Sequence, residues 1–453
     1  MAAGAERCRA AAATGATAGP ARKTRDQRGR DRMIVKWVRA AALLASLAGL
    51  AAFAAPRANA DELKIGFLMP VTGPLAQIAT DSINGFKMYL DEHKADFHGA
   101  TVRLIIADTE AKPATAVLQA EKLIKQNHVN MLVGGVLAST GYALAPVSTR
   151  EKVLYISSIA ASDSLTQRDA AKYPYFVRTG WSSSQPSHPF GEWACQAGIK
   201  KVVTIAADYA FGYEVVGGFQ QSFEGCGGKI IQKLWPPLNT SDFSPYVSSI
   251  RPDADAIFIL PAGGVGPLQL PRQLQQAGII PQKRLIGGGT SFDEFILPQM
   301  GDEVIGAISP LQWSAALQTP EAVAFVKKYR TNYGKVPSYF AESNYTTALM
   351  IDDVMKETHG KWPGSETFIK LLTALKVDAP RGPISFDKLR NPIQNVYVRK
   401  VEKQKMDGYP KAELWNVVIK TYPHVSQFWT YNEAEYLKQP VYSRAYPPCK
   451  YCE

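Results

Sequence analysis

Short apolar runs alternate with longer segments of helical period along most of this chain. Residues 63–68, Leu63-Lys64-Ile65-Gly66-Phe67-Leu68, read as a first strand. A Gly73-Pro74 turn follows, then a helix over 81–94 with Ile83, Phe86 and Leu90 on one face. Residues 102–107 are a second strand, and 113–127 an amphipathic helix carrying Ala116, Leu118, Ala120, Leu123 and Ile124. Strands at 131–134 and 153–157 continue the series. Strands that are short, apolar and followed by helices indicate a parallel sheet covered on both faces.

The pattern then restarts. Residues 202–207, 229–234, 256–260 and 284–287 read as four more strands, with helices at 211–224, 243–250 and 268–277 between them. Two similar α/β units therefore stand in tandem. Beyond residue 310 come helices at 321–333, 345–358 and 365–373, then a polar hairpin from 382–387 to 396–401. The tail, 424–453, is rich in aromatics and proline and reads as a strap over one lobe.

The first sixty residues do not belong to this pattern. Residues 40–55 are an uncharged alanine- and leucine-rich run, preceded by Lys36 and Arg39 and followed by Ala58-Asn59-Ala60. That is the layout of a secretory signal peptide cut after Ala60. Sixteen residues are short of the roughly 20 that span a bilayer. Translation starts either at Met1, giving a long basic leader, or at Met33. The exclusion changes the charge. The whole chain carries 51 Lys+Arg against 40 Asp+Glu, net +11. Residues 1–60 hold eleven of the bases and three of the acids, which leaves 61–453 at +3. No basic stripe with interleaved aromatics remains, so nucleic acid is not expected as a partner. No second long apolar run follows, so no membrane insertion is expected after cleavage. The 393 residues of the mature chain suit two domains.

With this order of motifs the chain resembles the periplasmic binding proteins of ATP-driven importers, of the branched-chain amino-acid-binding type. The resemblance rests on Lys64-Ile65-Gly66-Phe67 leading to Thr72-Gly73-Pro74, Gly85, Asp108 with Pro113 and Ala116, and Gly134-Gly135 with Ser139-Thr140. It continues with Arg178-Thr179-Gly180, Asp208-Tyr209-Ala210-Phe211-Gly212, Asp242-Phe243, and Gly382-Pro383 with Phe386-Asp387. What it implies is an α/β type I binding-protein fold, two doubly wound parallel-sheet lobes joined by a three-stranded hinge. The first lobe would take 61–179 and 312–381, the second 180–311 and 382–453 with the strap. The implied protein is a periplasmic monomer that binds a small-molecule ligand without a cofactor. It would hand that ligand to the membrane permease of an ABC importer. A receptor that reports ligand to a signalling partner is the rival reading.

Ligands of open parallel sheets bind beyond the carboxyl ends of the strands. Those loops are rich here in Gly, Ser, Thr and Ala, which leave backbone N–H groups and helix N-termini accessible to a carboxylate. The candidate ligand residues are Ile78; Leu137, Ala138, Ser139 and Thr140; Ile159, Ala160 and Ala161; Tyr209 and Phe211; Ala262 and Gly263; Thr290 and Phe292. The resemblance also shows departures. Relatives that bind α-amino acids place a Thr, Tyr residues and an acid around the ammonium group. This chain has Ala161, Phe211, Ala262 and Gly289 or Thr290 at the matching positions, with Asp293 close by, and Ile78 where an aromatic often stacks. A buried ammonium would lack a counter-ion, which is costly. An aromatic carboxylate is therefore the leading ligand, ahead of branched-chain or other amino acids and amides. The chain is similar to a subgroup that takes up benzoate-like and cinnamate-like acids.

Chemistry for turnover is not evident. Ser182-Ser183-Ser184 is not a nucleophile elbow, and the six histidines are scattered, none in an H-E-x-x-H or similar pair. The glycine runs at 263–266 and 287–290 lack a phosphate loop's lysine. His188 reads as a lobe-surface or hinge residue. The chain is not expected to be an enzyme or to hold a metal. Four cysteines follow the leader. Cys195 and Cys226 each end a helix that precedes neighbouring strands, which brings them to one sheet edge within disulfide reach. Cys449 and Cys452 are expected to form a local bridge in an oxidising compartment.

Overall fold

The computed structural model describes residues 62–452, together with Gly19 and Pro20. The expected leader and its cleavage point after Ala60 lie outside the described residues.

The first six strands are β1 (Glu62–Met69), β2 (Asp96–Phe97), β3 (Ala100–Asp108), β4 (Met131–Gly134), β5 (Leu154–Ser157) and β6 (Phe176–Arg178). They form one sheet in the order β2-β3-β1-β4-β5-β6, parallel except for the small β2 edge. The later strands are β7 (Lys201–Ala206), β8 (Lys229–Leu234), β9 (Ala256–Leu260), β10 (Arg284–Gly287), β11 (Ile308–Leu311), β12 (Val377–Ala379), β13 (Gly382–Phe386), β14 (Pro392–Gln404) and β15 (Glu413–Val425). They form a second sheet in the order β12-β13-β14-β11-β10-β9-β7-β8, with β15 on the outer part of β14. Strands β7 to β11 are parallel, and β12 to β15 are antiparallel. Strand order reverses between β1 and β4 in the first sheet and between β7 and β9 in the second, which creates two switch points.

Each parallel sheet is buried on both faces. Ile65 and Phe67 face one core with Phe86, Tyr329, Ile351 and Phe368, while Leu68 and Leu132 face another with Leu123 and Leu144. In the second sheet Val203 and Ile205 point to one side, Val202 and Ala206 to the other. The helices that cover one face of the first sheet, Pro320–Tyr333, Tyr339–Glu357 and Ser365–Ala374, come late in the chain. Helix Ala76–Glu92 packs on Tyr339–Glu357 so closely that a Cβ at Gly85 would lie 2.0 Å from the Ala341 carbonyl oxygen. Only glycine permits that approach.

Several elements differ from the sequence reading. The first helix starts at Ala76, not 81. The helix expected over 243–250 is a single turn, Ser244–Val247. The Ser248 and Ser249 hydroxyls donate to the Pro245 and Tyr246 carbonyls at 3.2 and 2.8 Å, a local alternative to continued helix. The hairpin strand expected at 396–401 runs over 392–404, and β15, unread in the sequence, pairs along it. Its Pro423 sits at a register shift near the sheet's rim, where a missing N–H is tolerated.

The tail does not lie over one lobe. Gln427 donates to the Thr166 carbonyl (2.7 Å), and Arg168 donates to the carbonyls of Gln439 (2.8 Å) and Tyr436 (2.9 Å), all beside the first sheet. Farther along, Pro448 accepts from Gln220 of helix Ala210–Gly225 (2.9 Å), against the second. His188 is not on the surface. The strap encloses it, with the rings of Tyr431 and Tyr436 5.3 and 5.9 Å away, and burial pushes its pKa down to about 3, so it is neutral. Cys195 is joined to Cys226, with Cα atoms 6.2 Å apart, and Cys449 to Cys452. Among the described residues, no helix is long and apolar enough to cross a membrane.

Candidate functional site

The loops that leave the two switch points face each other. From the first sheet come the turn after β1 and the segment after β4; from the second come the segments after β7 and β9. Asp108, at the end of β3, fixes the first of these. Its carboxylate accepts from the Val71 N–H (3.0 Å), the Glu110 N–H (2.8 Å) and the Thr72 hydroxyl (2.6 Å). The turn it holds presents Leu75 and Ile78. A Cβ on Gly263 would lie 2.7 Å from Leu75 Cδ2, and one on Gly264 3.5 Å from Pro74 Cβ, so the two halves touch at this rim. The arrangement is closed.

Between the halves lies a cavity of about 60 Å³. Its walls come from Leu75, Ile78, Val136, Leu137, Ala138, Ile159 and Ala161 on one side. Trp181, Tyr209, Phe211, Pro261, Gly263, Pro267, Thr290, Phe295, Tyr339 and Phe340 complete it. None of these side chains is charged. The rings interlock: Trp181 meets Phe211 edge-on at 5.6 Å and Tyr339 at 6.0 Å, and Phe295 meets Phe340 at 5.4 Å. The space is smaller than the roughly 150 Å³ cavity that takes a benzene ring, so the walls have to move apart to admit a one-ring ligand.

The polar groups at the cavity wall are neutral. Helix Ala138–Glu151 starts at the wall with no side-chain cap, and so does helix Ala210–Gly225. Their first turns keep the positive end of the helix dipole and N–H donors for an anion. Burial pushes the phenols of Tyr209 and Tyr339 well up, so both remain neutral donors. The Trp181 indole N–H is buried beside the Tyr339 ring without an acceptor in hydrogen-bonding geometry.

The structure brings together Ile78, Leu137, Ala138, Ile159, Ala161, Tyr209, Phe211, Gly263 and Thr290 of the candidate residues. It does not bring in the other five. Thr140 is buried, its N–H bonded to the Leu137 carbonyl, and Ser139 lies on the helix's first turn outside the wall. Ala160 turns toward Gly135 and Gly141. Ala262 sits between two lining residues without lining, and Phe292 is in the core of the second sheet. Asp293 stays outside the cavity: its carboxyl accepts from the N–H groups of Phe295 (3.2 Å) and Tyr339 (3.3 Å). Burial, with Glu294 alongside, pushes its pKa well up. It offers no counter-ion to an ammonium group. The residues that the sequence reading missed include Trp181, Tyr339 and Phe340. Trp181 directly follows the Arg178-Thr179-Gly180 motif, a signal that was present.

Truncation of Phe211 to alanine removes one edge of the ring cluster. We expect it to cost about 1–3 kcal/mol of ligand binding, read by calorimetry. Unchanged affinity would remove Phe211 from the site.

Known proteins share this architecture. The family described as periplasmic binding protein matches residues 62–406. A Leu/Ile/Val-binding protein homologue of Brucella abortus is 28% identical over 381 residues, covering 82% of this chain and 95% of that protein. A solute-binding protein of an ABC transporter from Rhodopseudomonas palustris, solved in complex with 3,4-dihydroxybenzoic acid, is 31% identical. It superposes with a TM-score of 0.75 and covers 81% of this chain and 99% of that one. Another from R. palustris, solved with 4-hydroxybenzoate, is 29% identical at the same TM-score of 0.75 and the same coverage, 81% and 99%.

Proposed function

Because the chain belongs to the periplasmic binding protein family, we propose that it captures an aromatic carboxylate of one ring and delivers it to the permease of an ABC importer. The observation that carries this reading is a wall of aromatic and aliphatic side chains with no charge, set against two uncapped helix N-termini. A carboxylate placed there is held by N–H donors and helix dipoles, and the ring by Trp181, Phe211 and Phe340. An α-amino acid would bury its ammonium without a carboxylate partner. The solved relatives in complex with hydroxylated benzoates support the same ligand class. In this reading the leader is removed after Ala60. The lobes are 61–179 with 312–381 and 180–311 with 382–453, and they close about the hinge around one ligand.

Calorimetry on the mature protein should show binding of benzoate, 4-hydroxybenzoate or 3,4-dihydroxybenzoate and none of leucine. Tight leucine binding with no benzoate binding would replace the aromatic acid by an amino acid.

A further inference from the structure

Behind the cavity, two carboxyl groups are buried where the halves meet. Glu214 stands on helix Ala210–Gly225, one turn beyond Phe211 of the cavity wall. Tyr142 stands on helix Ala138–Glu151, one turn beyond Ala138. The Tyr142 hydroxyl donates to Glu214 Oε1 at 2.6 Å, so the helices that begin at opposite walls of the cavity are joined by one bond.

The other oxygen of Glu214 poses a question of protons. Glu214 Oε2 lies 2.5 Å from Ser183 Oγ, and Ser183 Oγ lies 2.9 Å from the carbonyl oxygen of Ala161, itself a cavity residue. A serine hydroxyl has one proton. Both contacts are hydrogen bonds only if the carboxyl supplies the second proton, donating to Ser183 while Ser183 donates to Ala161.

The surroundings agree. The groups facing Glu214 are Tyr142, Tyr209, Asp163 and Arg178. Arg178 is the cation among them, and its guanidinium is committed to the carbonyls of Ala160 (2.7 Å), Trp181 (3.0 Å) and Ser162 (2.5 Å). Asp163 is buried, accepts from the Ser184 N–H at 3.2 Å, and leaves its second oxygen without a partner. Two anions so placed in a low-dielectric space repel. Burial, then the neighbouring Asp163, pushes the Glu214 pKa up to about 8; burial pushes that of Asp163 up to about 6.

We propose that Glu214 is a positioning residue of the binding site, a protonated latch that closes onto Tyr142 and braces the Ala161 carbonyl, so that ligand capture takes up a proton. When the halves part, Tyr142 leaves and water reaches the carboxyl, which ionises as an ordinary glutamate near about 4.3. The direction follows. Below that value both states hold the proton and nothing is linked. Between it and the closed-state value only the closed form holds it, so affinity falls as pH rises, by about tenfold per unit for a single site. Above both values the full penalty stays.

The proposal rests on the ligand class given above, and the test separates the two. Benzoate is the probe, since its carboxyl is ionised and nothing else on it titrates between pH 5.5 and 8. Wild-type affinity for benzoate should fall about tenfold per pH unit between 5.5 and 7.5. Glu214→Gln supplies the same donor and acceptor without a titrating proton. It should match wild type at about pH 4.3, bind roughly tenfold or more tighter at pH 5.5, and hold its own affinity to pH 8, so that the gap to wild type widens with pH. Glu214→Ala should bind more weakly than Glu214→Gln at every pH, also with no slope. A merely structural role predicts that the glutamine variant keeps the wild-type slope or binds worse throughout, and either result overturns the latch. If benzoate does not bind, the ligand class fails alone, and the same pH series is run with leucine, which likewise does not titrate between pH 5.5 and 8. Wild-type affinity for leucine should then fall with pH while that of Glu214→Gln stays level; parallel slopes overturn the latch.

Discussion

Replacing Arg381 by methionine should lower the stability of the folded protein by about 3–5 kcal/mol, the usual cost of stranding one member of a buried ion pair. Arg381 and Glu342 are fully enclosed, with Nη1 donating to Oε2 at 3.0 Å. The other arm of the guanidinium donates to the Thr179 carbonyl, and the Arg381 carbonyl accepts from the Tyr397 hydroxyl at 2.8 Å. Glu342 also accepts from the Thr346 hydroxyl at 2.6 Å. One residue thus ties the end of β6, the turn between β12 and β13 and helix Tyr339–Glu357 through its side chain, and strand β14 through its carbonyl. Loss of the cation leaves a carboxylate in the core. The pair Arg381→Met with Glu342→Leu should recover much of the loss, because both desolvation penalties then vanish. Urea unfolding followed by tryptophan fluorescence measures this; a single-variant loss under about 1 kcal/mol would show that the pair contributes little.

The second large effect concerns binding. Ala138→Asp should abolish capture of benzoate-type ligands, by a hundredfold or more, and still fold. The new carboxylate would sit at the uncapped first turn of helix Ala138–Glu151, a position that stabilises an acid. It would occupy the donors proposed for the ligand and repel what remains. Losing charge-assisted hydrogen bonds of roughly 1.5–3 kcal/mol each accounts for the size. Calorimetry gives the affinity, and the thermal midpoint shows that the fold persists. Binding within about threefold of wild type would move the ligand's carboxylate away from this helix.

Much of the architecture could be read from periodicity, because a strand buried on both faces has few alternatives to a short apolar run. Val202 to Ala206 is such a strand, and β7 occupies it. Strand β15 was missed because an edge strand need not be apolar: Asn416, Lys420 and Thr421 break its pattern, and pairing with β14 supplies what the pattern lacks. The cavity divides along the same line. Leu137, Ala138, Ile159, Ala161 and Phe211 could be found, since strand-end loops are located once the strands are. Tyr339 and Phe340 could not, because they lie about 180 residues beyond Ala161 on a helix read as starting at Tyr345. The Glu214 contact was also out of reach: nothing local to Glu214 shows that Tyr142, Ser183 and Asp163 converge on it.

The late arrival of the covering helices has a consequence for the order in which the molecule can be completed. A polypeptide is made, and leaves a ribosome, amino end first. All six strands of the first sheet have appeared by Arg178, but Phe325, Tyr329, Ile351, Phe368 and Leu372, which cover Ile65, Phe67 and Val133, follow only at 320–374. For some 140 residues of synthesis only helix Ala76–Glu92, whose Phe86 ring lies 5.1 Å from Phe67, covers that face of the sheet, and the loop at Thr166 and Arg168 waits longer still, for Gln427 to Gln439. A nascent chain stopped short of residue 374 therefore carries an incompletely covered apolar layer, the kind of surface that keeps a polypeptide from settling and leaves it open to carriers of unfolded chains.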